Sequence, residues 1–400
     1  MPEISEKGRL MPASPIRKLV PYAEKARSLG RTVYQLNIGQ PDIPTPESAL
    51  EALRTMDKKV LEYSHSAGYQ SYREKLAKYY SKIGIPVNAD QILITTGGSE
   101  AILFGMMACM DAGSEIIVPE PFYANYLGFA IAAGLQVVPV TANIQNGFAL
   151  PPVEAIEAKI TPKTRAIFIC NPNNPTGYLY AENELKSLAA LVKKHDLYLF
   201  SDEVYREFCY DSTAHISALS LKGIEENVIM VDSVSKRYSA CGIRIGALVT
   251  RNKDVTETVL KFAQARLSPP GLGQIAAEAA LETPPEYFKE VYEEYILRRN
   301  FMVNRLNKME GVTCPKPRGA FYTMVELPVE DTDDFSQWLL DEFEYQNQTV
   351  MLAPASGFYA TPGLGKKEVR IAYVLNQEDL AKALDCLEAG LKSYPGIKTK

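Results

Sequence analysis

Residues 232–246, DSVSKRYSACGIRIG, put Lys236 just past the apolar run NVIMV and surround it with small and hydroxylic residues. Ser233 and Ser235 precede the lysine, and Arg244 follows it by eight positions. Two hydroxyls and a planar guanidinium are phosphate-binding chemistry, because an arginine can grip two phosphate oxygens at once. A lysine held beside a bound anion at a strand end can form a Schiff base with an aldehyde. A solvated loop lysine accounts for Lys236 alone but gives no reason for the serines and glycines around it.

Three further polar clusters follow apolar runs. In TTGGSEA, the free amides of Gly98, Ser99 and their neighbours open a helix and suit a phosphate. A tight strand-to-helix turn capped by Ser99 explains the same letters. In SDEVY, Asp202 ends the apolar run LYLF, where a carboxylate either caps the next segment or pairs with a buried cation. The protonated ring nitrogen of pyridoxal phosphate is one such cation, and an acid beside it keeps the ring an electron sink. Tyr205, and Asn174 of NPNNPTG, could hydrogen-bond the phenolic oxygen of that ring. A turn asparagine and a half-buried tyrosine are equally open readings of these two residues.

Alternating elements must position these clusters. From about residue 90, seven β-branched runs alternate with helical patterns: QILITT, EIIVPE, LQVVPV, RAIFIC, LYLFSD, VIMVDS and IGALVT. That alternation predicts an α/β fold, a mostly parallel sheet covered by helices on both faces. Ligands of such sheets bind beyond the carboxyl ends of the strands, which is where the four clusters fall. After LSPPGLGQIAAEAALETPPEYF the pattern changes to a long charged helix, PEYFKEVYEEYILRRNFMVNRLNKM, and then to the strand-like pieces AFYTMVEL and VRIAYV. The expected division is a large domain over residues 45–285 and a smaller α+β domain over 286–400. An N-terminal segment, residues 1–44, is expected to pack with the smaller domain.

Composition removes several function classes. Forty-three basic against 48 acidic side chains give a net charge of −5 with no basic block, which argues against a nucleic-acid partner. No apolar run reaches the roughly 20 residues that span a bilayer, and the charged start MPEISEKGRLMPASPIRK has no apolar core of a signal peptide. A cytoplasmic location is expected. The six cysteines show no C-x-x-C pairing and read as reduced, mostly buried thiols, and the three histidines share no ligand-like spacing, so no metal is expected.

Taken together the clusters resemble the class I aminotransferases of the fold-type I pyridoxal-phosphate enzymes, close to the aspartate aminotransferase group. Ser233, Ser235, Lys236 and Arg244 match the S-x-S-K pattern with its later arginine, and NPNNPTG, DEVY and NIGQPDIPTP match as well. The resemblance covers essentially the whole chain and implies a seven-stranded sheet in the large domain. It implies that Lys236 carries the cofactor and shuttles the substrate proton, that Asp202 pairs with the ring nitrogen, and that Tyr205 and Asn174 bind the ring hydroxyl. Gly98, Ser99, Ser233, Ser235 and Arg244 would hold the phosphate, and Tyr123 of PFYANY would stack on the ring. Tyr63 of YSHSAGY would reach the phosphate of a neighbouring subunit, so a homodimer with shared sites is expected. Arg370 of VRIAYV would clamp the substrate α-carboxylate with Asn174 and the Gly39 backbone; on the letters alone Arg370 also reads as a surface arginine and Gly39 as a turn glycine before Pro41. Non-trans peptide bonds are implied before Pro121 and Pro175.

The expected reaction moves an amino group from an L-amino acid, aspartate first, to a 2-oxo acid such as 2-oxoglutarate. Aromatic or alanine aminotransferases and a C–S lyase would use the same cofactor residues. A ligand sensor on this fold would carry a helix-turn-helix extension, for which the roughly 30 residues before VYQLNIG leave no room. A dicarboxylic donor needs a second cation. Arg266 in FAQARLSPPGLG is the first candidate, although its offset from the Pro-Pro pair differs from that of relatives, and Arg17 in ASPIRKL is the second.

Overall fold

In the computed structural model, which describes residues 2–396, strand β1 (Thr32–Gln35) precedes the seven apolar runs. Those runs form β2 (Ile92–Thr95), β3 (Glu115–Glu120), β4 (Gln136–Thr141), β5 (Thr164–Cys170), β6 (Tyr198–Asp202), β7 (Val228–Ser233) and β8 (Gly246–Val249). They make one sheet in the order β2-β8-β7-β6-β5-β3-β4. β8 alone runs against the direction of the other six strands, so the expected mostly parallel sheet is present. The runs are apolar at nearly every position because both faces are covered. Alternate residues feed two cores: Phe168, Phe200, Ile229 and Val231 on one side, and Ile167, Leu199, Val228 and Met230 on the other.

The register brings three chain segments to one edge. Thr95 and Ser233 both pair with Gly246, so the end of β2, the end of β7 and the start of β8 lie side by side. Helix Gly97–Cys109 begins there and packs on β7 and β8. A Cβ at Gly246 would stand 2.4 Å from Gly97 C and 2.6 Å from Gly98 N, so only glycine lets the helix start this close to the strand.

Beyond the long helix Pro285–Leu306 come β9 (Tyr322–Glu326), β10 (Gln348–Met351), β11 (Ala353–Pro354) and β12 (Glu368–Ala372). Strands β11, β12 and β9 form an antiparallel sheet. β1 pairs in parallel with β10, and helix Val20–Ser28 packs on helix Thr332–Asp341. Early and late chain thus join, with Arg31 reaching Glu344 and Lys25 reaching Asp341. Of the six unpaired cysteines, three are buried and three half-buried. No described helix is long and apolar enough to cross a membrane.

One expectation is corrected here. The bond before Pro121 is cis, but the second cis bond is Asn171–Pro172 rather than the one before Pro175. Pro175 lies inside a turn in which Asn173 accepts from Thr176 N at 3.2 Å through its side chain and from Gly177 N at 2.9 Å through its carbonyl.

Candidate active site

Beyond the carboxyl edge of the large sheet lies a cavity of ≈ 650 Å³. Lys236 enters it from the short helix Val234–Arg237, which starts directly after β7 with Ser233 as its cap. Its Nζ donates to Gly39 O at 2.9 Å and lies 3.8 Å from Cys241 Sγ. Ser233 Oγ lies 2.9 Å from both Ser235 Oγ and Ile245 O. Arg244 sits in the left-handed region at φ 55° after the turn Cys241–Ile243 and donates to Cys241 O at 3.0 Å. A Cβ on Gly97 would meet Arg244 Nη2 at 2.5 Å, so the guanidinium lies against the helix start that presents Gly98 and Ser99. Two serine hydroxyls, a guanidinium and a helix N-terminus converge on one pole of the cavity, a set suited to a phosphate.

Asp202, only 6% exposed, ends β6. Tyr126 OH donates to its Oδ2 at 2.6 Å and Val204 N to its Oδ1 at 3.3 Å, while burial pushes its pKa up to about 6. Among the described residues no cation forms an ion pair with it. Tyr205 OH accepts from Asn174 Nδ2 at 3.3 Å, and burial holds its pKa well above 10. Tyr123, pushed by burial up to about 12, accepts from Asn125 Nδ2 at 2.8 Å and meets Tyr126 edge to face.

Arg370, 2% exposed, projects from β12 with its guanidinium against the rings of Tyr322 at 4.6 Å and Phe358 at 4.9 Å. It donates to Asn174 Oδ1 at 3.1 Å and to Asn37 O, and its Nε has no partner. Burial lowers its pKa, and no carboxylate among the described residues pairs with it. A buried guanidinium without an anion is costly, and so is a buried carboxylate without a cation. This cavity holds one of each. An incoming molecule with a positive ring nitrogen and a phosphate, joined by one with a carboxylate, would satisfy both.

The cavity thus gathers Lys236, Asp202, Tyr205, Asn174, Tyr123, Gly98, Ser99, Ser233, Ser235, Arg244, Gly39 and Arg370. It does not gather Tyr63 or Arg266. Tyr63 is 76% exposed. Arg266 turns into its own chain, donating to Ser66 O and Ile94 O at 3.3 Å each, with Nε 3.6 Å from Glu100. Arg17 lines the cavity, with its side chain exposed. Sequence reasoning missed Tyr126, Tyr322 and Cys241. Tyr126 carried a usable signal, since it stands three residues after Tyr123 at helical spacing. Tyr322 looked like any aromatic of a strand.

A second ionic group lies behind the site. Asp232 accepts from Arg237 Nη2 at 2.6 and 2.8 Å and from Tyr80 OH at 2.6 Å, and Arg206 Nη1 lies 2.8 Å away. Arg237 Nε lies 2.7 Å from Glu207, and its guanidinium covers the Tyr79 ring at 4.5 Å. The helix that carries Lys236 is therefore anchored from below.

A family model described as aminotransferase class I and II matches residues 31–387. The chain is 34% identical to an aromatic-amino-acid aminotransferase 2 of Thermococcus litoralis, over 97% of this chain and 98% of that one. It is also 34% identical to an aspartate aminotransferase of Thermotoga maritima, over 95% of this chain and 97% of that one. The solved structure of aspartate aminotransferase from Thermus thermophilus with maleate superposes with a TM-score of 0.89 at 29% identity, covering 98% of this chain and 100% of that one. With the site's chemistry and these likenesses in agreement, the chain belongs to the class I and II aminotransferases, fold-type I enzymes whose cofactor is pyridoxal 5'-phosphate.

Proposed function

We propose that the protein transfers the amino group of L-aspartate to a 2-oxo acid, 2-oxoglutarate first, in two successive half-reactions. The observation that carries this reading is the pairing, within one cavity, of a buried acid that lacks a cation and a buried guanidinium that lacks an anion. Bound pyridoxal phosphate supplies an aldehyde that takes up amino groups and a protonated ring that accepts the electron pair left at the α-carbon. Ser233, Ser235, Arg244 and the amides of Gly98 and Ser99 would hold its phosphate. Asp202 would keep the proton on its ring nitrogen, Tyr205 and Asn174 would bind its ring hydroxyl, and Tyr123 would cover a ring face. Arg370, steadied by Asn174 and the Asn37 carbonyl and helped by the Gly39 backbone, binds the substrate α-carboxylate and thereby fixes the α C–H bond. Lys236 Nζ removes that proton and carries it onward as general base and then acid.

Tyr63 belongs to the same reading. Together with Val60, Leu61, Leu267 and Leu272 it is exposed. Its segment is tied to residues 266–274 by Ser66 Oγ donating to Leu267 O at 2.6 Å and Gln274 Nε2 donating to Ser64 Oγ at 3.0 Å. An apolar patch of this kind suits a second copy, whose cavity would receive the Tyr63 hydroxyl.

For the distal carboxylate of aspartate the geometry favours Arg17. Its side chain lines the cavity, whereas Arg266 is occupied by carbonyls of its own chain. The test supplies aspartate, an aromatic amino acid and alanine, each with and without 2-oxoglutarate. Oxo-acid formation that needs the acceptor and is fastest with aspartate is expected; release without acceptor would mean lyase chemistry, and a faster aromatic donor would overturn the donor assignment. A charged hydrogen bond contributes about 1.5–3 kcal/mol, so Arg17→Ala should lower kcat/KM for aspartate at least tenfold more than for alanine. The same selectivity in Arg266→Ala, and not in Arg17→Ala, would return the role to Arg266.

A further inference from the structure

Tyr322, the first residue of β9, touches three of the groups in the proposed chemistry, Arg370, Tyr205 and the Gly39 backbone, and has no role of its own in that chemistry. Its ring packs against the Arg370 guanidinium at 4.6 Å and meets the Tyr205 ring at 5.6 Å and 87°. Its hydroxyl lies 3.1 Å from Tyr205 OH and donates to Gly39 O at 3.4 Å, the carbonyl that also accepts from Lys236. Tyr205 in turn accepts from Asn174, and Asn174 accepts from Arg370. One unbroken chain of hydrogen bonds therefore runs from Arg370 through Asn174, Tyr205, Tyr322 and Gly39 to Lys236.

Position 39 is built around this hydroxyl. A Cβ there would stand 1.7 Å from Tyr322 OH, so the glycine and the tyrosine are matched, and any larger residue at 39 would expel the hydroxyl. Tyr322 is only 2% exposed, which leaves its proton two acceptors inside the protein: Gly39 O and the Tyr205 oxygen. When that proton turns from Gly39 O to Tyr205, the proton of Tyr205 is released from Tyr322 and can point into the cavity, and a donor that itself accepts a hydrogen bond is the stronger donor.

We propose that Tyr322 is a positioning residue with two separable tasks: its ring holds the Arg370 guanidinium flat for the substrate carboxylate, and its hydroxyl aims the Tyr205 proton at the cofactor. The inference rests on the proposed roles of Tyr205 and Arg370. Two variants separate the tasks. Tyr322→Phe keeps the ring and removes the hydroxyl, and Tyr322→Leu removes both.

In Tyr322→Phe, the pH titration of the bound cofactor's visible absorbance should move upward by about half a unit, because a weakened Tyr205 donor leaves the group it serves holding its own proton more tightly. KM for amino donors should stay within about twofold. In Tyr322→Leu, KM should rise about tenfold or more for every amino donor alike, since the α-carboxylate is common to all of them. Circular dichroism and thermal unfolding of the holoenzyme confirm that each variant is folded. An unchanged absorbance titration in Tyr322→Phe overturns the hydroxyl task, and equal KM rises in both variants overturn the ring task. A wild-type protein with no titrating visible absorbance would instead sink the functional proposal on which both rest.

Discussion

Asp202 and Asp232 sit on neighbouring strands at the same edge of the sheet, Asp202 paired in register with Val231, the residue before Asp232. Both are buried, at 6% and 2% exposure. Burial pushes both carboxyls upward, yet they end on opposite sides of the ordinary value. Arg206 and Arg237 hold Asp232 well below the usual carboxylate range, while Asp202, with only a tyrosine hydroxyl and an amide, rises to about 6. The cost of burying a charge is thus offset inside the chain at one acid and left open at the other. The closed acid faces away from the cavity toward Tyr80 and fastens the strand that leads to Lys236. The open acid lines the cavity, where a cation can arrive from outside.

Removing the closed acid's charge should have the larger effect on stability. Asp232→Asn leaves Arg206 and Arg237 buried beside one anion fewer, and breaking a buried pair in this way costs about 3–5 kcal/mol. Urea unfolding of the cofactor-free chain measures it. A loss below about 1 kcal/mol would erase the contrast between the two acids.

The open acid should behave in the opposite sense. In the cofactor-free fold the Asp202 carboxyl keeps its proton to about pH 6, against 3.8 for an unperturbed one. Between those values the folded chain binds more protons than the unfolded chain, so its stability falls as pH rises through the window. The loss is at most about 3 kcal/mol for a shift of roughly two units. Asp202→Asn has no carboxyl to ionise. Its unfolding free energy should therefore gain on the wild type between pH 4 and pH 7, and saturating cofactor should reverse that gain. A difference independent of pH would show that Asp202 already has an internal partner.

The contrast also marks what the sequence could tell. SDEVY and DSVSK each offer an aspartate after an apolar run, and nothing in the letters separates them. What separates them is Arg206 and Arg237, brought to one acid by the packing of the helix Val234–Arg237 and the turn after β6. Local patterns were readable: the seven runs became the seven strands, because burial on both faces leaves a continuous apolar trace. Strand β11, with two residues, is too short to leave one. Tyr322 and Arg17 owe their places in the cavity to contacts between distant segments, and Arg266 was drawn elsewhere by two carbonyls of its own chain. Such choices are made by tertiary packing and have no local signature.

Nuclear magnetic resonance of the holoenzyme, reconstituted with pyridoxal phosphate labelled with nitrogen-15 in its ring, measures the protonation of the group that Asp202 is held to receive. At pH 8 the ring nitrogen should be protonated in the wild type and unprotonated in Asp202→Asn. A ring nitrogen in the same protonation state in both proteins would contradict the pairing of cofactor and open acid.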